Sequence, residues 1–374
     1  MAFSIRKLGK RFFILTNALV CLLFLLACLQ PWLNPISFWP ISFLSLTLPY
    51  LTLLVLAFLV FWLLVRFRYA LISLLTLILG WKQVGTLFAT QSDVFAVKTR
   101  KENSLRVMTW NVKSLVGIGP KTAAERRQIA DDIARLIDRY DPDVLCLQEF
   151  GQFDQPEKGD DNIKRITDLG LKYYVLSKDY SRVHYGYSSG LAIFSRYPLF
   201  AKKRTQFTSS PESLLEARLK LGNDTVAVFT AHLQSFKLID RDFDNLQAAT
   251  ENGDNLVEAS GNIFSKMKRA FRNRGAQADQ IRPSLDTTRV PEIFCGDLND
   301  VPGSYAYWQM RGRERRDAHL DGGWGIGRTF MVLAPTLRID FIFADSRLQT
   351  TQCSTVPTTL SDHLPVVADM EWVK

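Results

Sequence analysis

From Met1 to Thr90 the chain holds no Asp or Glu, and it carries two long uncharged runs. The first, Phe12 to Leu33, is 22 residues and the second, Ile41 to Val65, is 25. At about 1.5 Å per residue the first reaches roughly 33 Å, enough for a hydrocarbon core of about 30 Å. A signal peptide is shorter, has a small-residue cleavage site and is not followed by more apolar sequence. These runs therefore read as membrane-spanning helices, with Pro49 marking a kink or a late start. A third run, 69–81, reaches spanning length only if it continues past Lys82 towards Thr90, over 69–88.

Charge sets the expected orientation. Seven basic residues lie in the first ninety: Arg6, Lys7, Lys10, Arg11, Arg66, Arg68 and Lys82. Basic residues near helix ends stay in the cytoplasm. That puts the N-terminus inside, 34–40 outside and Arg66 and Arg68 inside. With three spans, a multi-pass protein of the cell (inner) membrane, the remainder is extracytoplasmic; with a re-entrant third run it is cytoplasmic. The full chain has 46 Lys and Arg against 37 Asp and Glu, so residues 91–374 carry 39 against 37, a net +2. The basic pI belongs mostly to the anchor, and the rest has no large footprint for duplex nucleic acid. The five cysteines have neither C-x-x-C nor zinc spacing. They read as buried or free thiols, a disulfide between strands being the alternative.

The expected organisation is a transmembrane region, 1–90, a connection, 91–103, and a soluble domain, 104–374. In that domain short apolar runs alternate with helical patterns. Residues 105–112, 142–150, "KYYVLSK", "SGLAIFSRY", "EARLKLG", "DTVAVFTAHLQ", "PEIFCGDLN", "RIDFIFAD" and "LPVVADMEWV" read as strands. Residues 123–140 place Ile129, Ile133, Leu136 and Ile137 on one helical face. Residues 263–281 are helical, after a polar loop or irregular helix from about 236. Strands in runs with few helices between them define an α+β domain on packed sheets.

Polar residues cluster at the ends of these strands: Asn111, Glu149, His232, Asp297, Asn299, Asp340, Asp362 and His363. Singly, each reads as a turn former, a cap or a solvated side chain. Together they are what phosphate-ester hydrolysis needs. Mg²⁺ takes oxygen ligands, and an imidazole with a buried carboxylate can orient water and balance transition-state charge.

The ordered series "TWNV…LQEF…SGLAIFSRYP…TAHL…CGDLND…RIDFIF…SDHLP" resembles the endonuclease/exonuclease/phosphatase superfamily, which includes deoxyribonuclease I-like nucleases, inositol polyphosphate 5-phosphatases and neutral sphingomyelinases. The resemblance implies a four-layered α/β sandwich with two central, mostly antiparallel sheets. It implies Asn111, Glu149 and Asp362 as metal-side residues, with Mg²⁺, or Mn²⁺, as cofactor. It implies that Asp297 and Asn299 hold the attacking water, that Asp340 orients the catalytic imidazole of His363, and that His232 binds a phosphate oxygen or assists the leaving group. Lys113 stands where exonuclease III-like members often have Asp, which points away from abasic-site repair. The expected activity is hydrolysis of a phosphodiester or phosphomonoester by a membrane-anchored enzyme. Nucleic acid, a phospholipid headgroup and a small phosphate ester are the candidate substrates, with membrane lipids as partners of the helices. A catalytically silent scaffold on the same fold is the alternative.

Overall fold

The computed structural model describes residues 2–91, 100, 104–119, 121–154, 161–208, 210–237, 256–332 and 334–373. The expected connection 91–103 lies largely outside them. The first apolar run is one helix, Ala2–Cys28, and the second is another, Ser42–Val65, which passes through Pro49 rather than starting after it. Two helices, Lys7–Cys28 and Pro35–Val65, are long and apolar enough to cross a membrane. The third run does not continue to Thr90 as one helix. It is a 13-residue helix, Phe67–Leu79, then a break at Gly80 and a short helix, Trp81–Val84. Close packing accounts for the break residue, because a Cβ at Gly80 would stand 2.3 Å from the Phe24 ring. The third run lies parallel to the first: Ser73 donates to Asn17 at 3.0 Å, and Gln83 donates to the Cys28 carbonyl at 3.4 Å.

The two ends of this bundle differ. At one end the Lys10 ammonium lies 5.1 Å from the Tyr69 ring, close in sequence to Arg66 and Arg68. At the other end the bundle seats on the rest of the chain. Asn34 donates to Asp279 at 2.6 Å, Trp308 donates to Gln83 at 3.2 Å, and Arg338 donates to the Thr86 carbonyl at 3.0 Å.

The described residues hold fifteen strands: β1 (Ala89–Thr90), β2 (Leu105–Asn111), β3 (Val144–Phe153), β4 (Tyr173–Leu176), β5 (Tyr180–Arg182), β6 (Tyr187–Ser195), β7 (Leu199–Gln206), β8 (Ser213–Leu221), β9 (Asp224–His232), β10 (Glu292–Asp297), β11 (Arg315–Asp317), β12 (Trp324–Gly325), β13 (Asp340–Asp345), β14 (Leu348–Thr355) and β15 (Val366–Trp372). One sheet runs β14-β15-β2-β3-β6-β4, with β5 also paired to β6; the second runs β11-β13-β10-β9-β8-β7. Both are antiparallel except at β2–β3 and β9–β10. The small pair β1–β12 ties the end of the bundle to the domain.

Alternation along the strands sends one set of side chains between the sheets and the other towards helices. Val107, Cys146, Ile193, Val228, Cys295 and Ile342 fill the space between the sheets. Met108, Leu145 and Phe194 pack against Ile133 and Ile137 of the helix Ala123–Tyr140. Phe294, Phe341 and Phe343 pack against Ile281, Leu285 and Tyr307. Four layers result, helix, sheet, sheet, helix, and each buried large side chain contributes roughly 1.5–3 kcal/mol. All five cysteines are free and buried.

The helix Ala123–Tyr140 starts where Thr122 and Glu125 cap each other's backbone N–H groups, a capping box. The helix expected over 263–281 is longer, Leu256–Asp286; much of the expected loop before it, 238–255, lies outside the described residues. The edge strands β7, β11 and β14 were not expected. Their sequences lack a clear apolar alternation, and Lys202, Lys203 and Arg204 of β7 are exposed, charges that keep an open edge from pairing with another chain.

His319 is buried beside this framework, where a Cβ at Gly327 would stand 2.4 Å from its ring. Burial first, then Arg338, pushes its pKa down from 6.5 to about 4, against the pull of Asp317. A depressed histidine pKa gives stability that is present above the unfolded value and lost as pH falls through the folded one. That contribution is on the order of 3 kcal/mol. Urea unfolding of the full chain will therefore show stability falling between about pH 6.5 and pH 4, with a shallower fall in His319→Gln.

Candidate active site

Three strands bring three side chains to one level. In the ladder β9–β10–β13, Asp297 stands opposite His232 on one side and opposite Asp340 on the other. Asp297 and Asp340 are fully buried, and His232 is partly so. From the other sheet, β2 ends in Asn111, whose amide donates to Asp297 at 3.1 Å and to Glu149 at 3.3 Å. The two sheets thus meet at the Asn111–Asp297 contact.

Glu149 reaches the site through a bulge. Between Leu147 and Phe150 the pairing of β3 with β6 slips by one residue, and Glu149 takes a left-handed φ of 52°. A bulge turns a side chain out of the alternation and is common beside active sites. The left-handed conformation is costly for a glutamate, and its result is a partly exposed carboxylate beside Asn111 and 3.9 Å from His232. Asn299 also has a positive φ, 50°, which asparagine tolerates. Its backbone N–H donates to Asp297 at 2.8 Å and its amide to the Leu233 carbonyl at 2.9 Å.

His363 is held on all sides. Its Nδ1 lies 2.9 Å from Asp340, its Nε2 lies 3.7 Å from Asp297, and its carbonyl accepts from the Trp110 indole at 2.8 Å. The Phe330 ring packs 4.9 Å away. Burial lowers its pKa, but Asp340 and then Asp297 outweigh burial and lift it to about 10. Two carboxylates thus favour the cationic form of this imidazole, in which both ring nitrogens are donors. The Asp297 carboxyl is pushed up by burial and then by the Asp340 charge, and His363, His232 and Asn111 pull it back. A carboxylate raised in this way is better matched to taking a proton from water.

Asp362 is bonded outside this row, although its charge is felt at His363. Its carboxylate pairs with Lys113 at 2.6 Å and accepts from Ser361. The lysine noted in the sequence as a departure is therefore a neighbour of the site.

Two groupings could hold a cation. Asp297, Asp340 and His363 bring possible ligand atoms within 4.8 Å of one another. There, however, His363 and Asp340 are already paired, and a protonated imidazole has no lone pair to offer. Glu149 with Asn111 offers hard oxygen donors at the exposed side of the array, which fits Mg²⁺ or Mn²⁺. Asn111 presents its NH₂ to the carboxylates while its oxygen accepts from Lys113 N–H at 3.1 Å, so ligation requires the amide to turn over.

A cleft of 1130 Å³ opens in front of Glu149 and His232. Lys121, Arg126, Arg182 and Lys237 line it, with Tyr180 and Glu212, which hydrogen-bond to each other. None of these carries a motif; they come from loops, the first turns of the helix Ala123–Tyr140 and the edge strand β5, whose meeting depends on the fold. Other basic residues have structural partners. Arg274 is buried beside Asp300 at 3.3 Å, Arg338 pairs with Asp317 at 2.7 Å, and Arg328 donates to the carbonyls of Phe330 and Met331.

An endonuclease/exonuclease/phosphatase family model matches residues 108–363, and a model of a domain of unknown function matches residues 10–87. The chain belongs to the endonuclease/exonuclease/phosphatase family. Among solved structures it is similar to an endonuclease/exonuclease/phosphatase from Beutenbergia cavernae, with 21% identity, a TM-score of 0.52 and 72% of each chain covered. It is also similar to the human nocturnin catalytic domain with bound sulfate, with 19% identity, a TM-score of 0.52, and 74% of this chain and 97% of that one covered. At these identities the likeness is one of fold. No curated protein matches the chain.

Proposed function

We propose that the chain is a membrane-anchored phosphoric ester hydrolase that uses Mg²⁺ or Mn²⁺. The observation that carries the reading is the row His232–Asp297–Asp340, its two carboxylates buried, with His363 held by Asp340 and the carboxylate of Glu149 at the exposed side. Asp297 and Asn299 hold the attacking water, and Asp297 takes its proton. His363, a cation at neutral pH, donates to a phosphate oxygen as negative charge builds. His232 binds a further phosphate oxygen or assists the leaving group. Asn111 and Glu149, with Asp362 beyond Lys113, would hold the metal, which when bound would supply positive charge to the phosphate.

The anchor reading has its own support. The bundle carries Lys10, Arg66 and Arg68 towards one end and the domain at the other, as expected for a cytoplasmic N-terminus, three passes and an extracytoplasmic domain. On this reading 1–90 is the anchor, 91–103 the connection and 104–374 the catalytic domain. Reporters fused after Val84 and after Lys374 test it; both reading cytoplasmic would refute the orientation.

The loops that flank the site residues also adjoin the bundle. Phe236, four residues after His232, packs on Phe271, which meets Phe43. Val301 and Pro302 follow Asn299 and line a 300 Å³ apolar cavity with Leu46 and Leu53. Thr336, ahead of Asp340, lies 3.4 Å from Tyr50. This proximity supports a substrate presented at the membrane surface, a phospholipid headgroup or a small phosphate ester, over long duplex nucleic acid. A panel of phospholipid in mixed micelles, a soluble phosphodiester, a soluble monoester and duplex DNA checks this; duplex DNA turning over fastest would contradict it.

A further inference from the structure

A second cavity, of 940 Å³, lies away from the cleft, where the end of the helix Ala2–Cys28, the break at Gly80 and the helix Tyr305–Arg311 meet. One wall is apolar: Leu22, Leu26 and Leu79, all exposed, continue the outer surface of the helices. At its mouth stand the exposed indoles of Trp32 and Trp81, a residue type that favours the headgroup level of a bilayer. The opposite wall carries Lys82, Arg311 and Arg313, and among the described residues no Asp or Glu lines the cavity.

Arg311 is the informative residue. It is partly buried, its guanidinium stacks 5.0 Å from the Trp308 ring, and its Nε is buried without a hydrogen-bond partner. Asp321, which senses Arg311, lies 4.0 Å from Arg316 instead. A cation drawn out of water next to an apolar wall is costly unless an anion joins it.

We infer that this cavity binds an anionic glycerophospholipid of the leaflet next to the domain. Its phosphate sits among Arg311, Arg313 and Lys82, and its acyl chains lie along Leu22, Leu26 and Leu79. The inference rests on the membrane-anchor reading, and it is independent of the reaction at Asp297.

The test uses the full chain in nanodiscs of phosphatidylcholine alone and of phosphatidylcholine with phosphatidylglycerol. Melting temperature and co-isolated lipid, the latter by native mass spectrometry, are the readouts. Phosphatidylglycerol is expected to raise the melting temperature and to be retained over phosphatidylcholine. Each cation removed should weaken that preference about fivefold. Arg311→Gln is the direct variant; Lys82→Gln with Arg313→Gln, both at exposed positions, serves if it does not fold. Equal retention of both lipids, or an unchanged preference in the variants, overturns the inference. So does equal stabilisation by inorganic phosphate, which would make the ligand a soluble anion. A chain that stays soluble without detergent and enters no nanodisc fails the anchor reading itself, and the inference with it.

Discussion

His363→Ala lowers kcat by about 10³-fold or more, in the range expected for removing a positioned acid–base group, while the chain stays folded. The imidazole is the cation that Asp340 and Asp297 jointly create, lifting its pKa to about 10. Alanine removes both the donor to phosphate and the charge that opposes the Asp297–Asp340 repulsion. Asp340→Asn separates these effects. It keeps the shape of the contact at Nδ1 but removes the charge that lifts the imidazole, so activity falls by about 10²-fold and the alkaline limb of the pH–rate profile moves to lower pH. Steady-state kinetics on a soluble phosphodiester, with circular dichroism to verify folding, measures both. Wild-type rates in either variant would remove His363 from the chemistry.

Arg274→Met is the second large effect, and it falls first on stability. Arg274 is fully buried beneath the site, 3.3 Å from Asp300, and donates to the Gln234 carbonyl at 3.1 Å. The Phe236 and Phe271 rings lie 4.5 and 4.8 Å from its guanidinium. Burial raises the Asp300 carboxyl, and Arg274 is the main force drawing it back. Removing the arginine leaves an uncompensated buried carboxylate, which costs about 3–5 kcal/mol. Replacing both partners, as Arg274→Met with Asp300→Leu, should recover much of that loss because a buried pair is often matched by apolar residues of similar volume. Activity should fall even in the double variant, since the arginine ties the loop after His232 to the loop after Asn299. Urea unfolding of single and double variants provides the cycle; a single variant within about 1 kcal/mol of wild type would refute the bracing role.

Much of this was legible in the sequence because strand ends announce themselves. Asn111, His232, Asp297 and Asp340 each close or open an apolar run, and a run that ends at a sheet edge delivers its last side chain there. What one dimension could not carry is the register that aligns His232, Asp297 and Asp340, the bulge that turns Glu149, and the pairing of Lys113 with Asp362. Charge in a sequence does not disclose burial either: Arg274 and Arg338 are both spent on buried carboxylates. The edge strands β7, β11 and β14 escaped notice for the opposite reason, since an edge strand lacks the alternation that marks a half-buried one. The need for glycine at position 80, where the helix breaks, was hidden because the Phe24 ring that leaves no room for a Cβ is distant in the chain.

The central claim is that the row around Asp297 hydrolyses phosphate esters with a divalent metal. The most direct measurement compares release of phosphate or alcohol from a soluble phosphodiester and monoester by the detergent-solubilised full chain and by Asp297→Ala. Each is assayed with Mg²⁺, with Mn²⁺ and with chelator. Turnover by the wild type with metal, lost on chelation and lost in Asp297→Ala, is the predicted result. Turnover that survives both, or a wild type that hydrolyses neither ester and binds no metal by calorimetry, would contradict it and leave a silent scaffold on this fold.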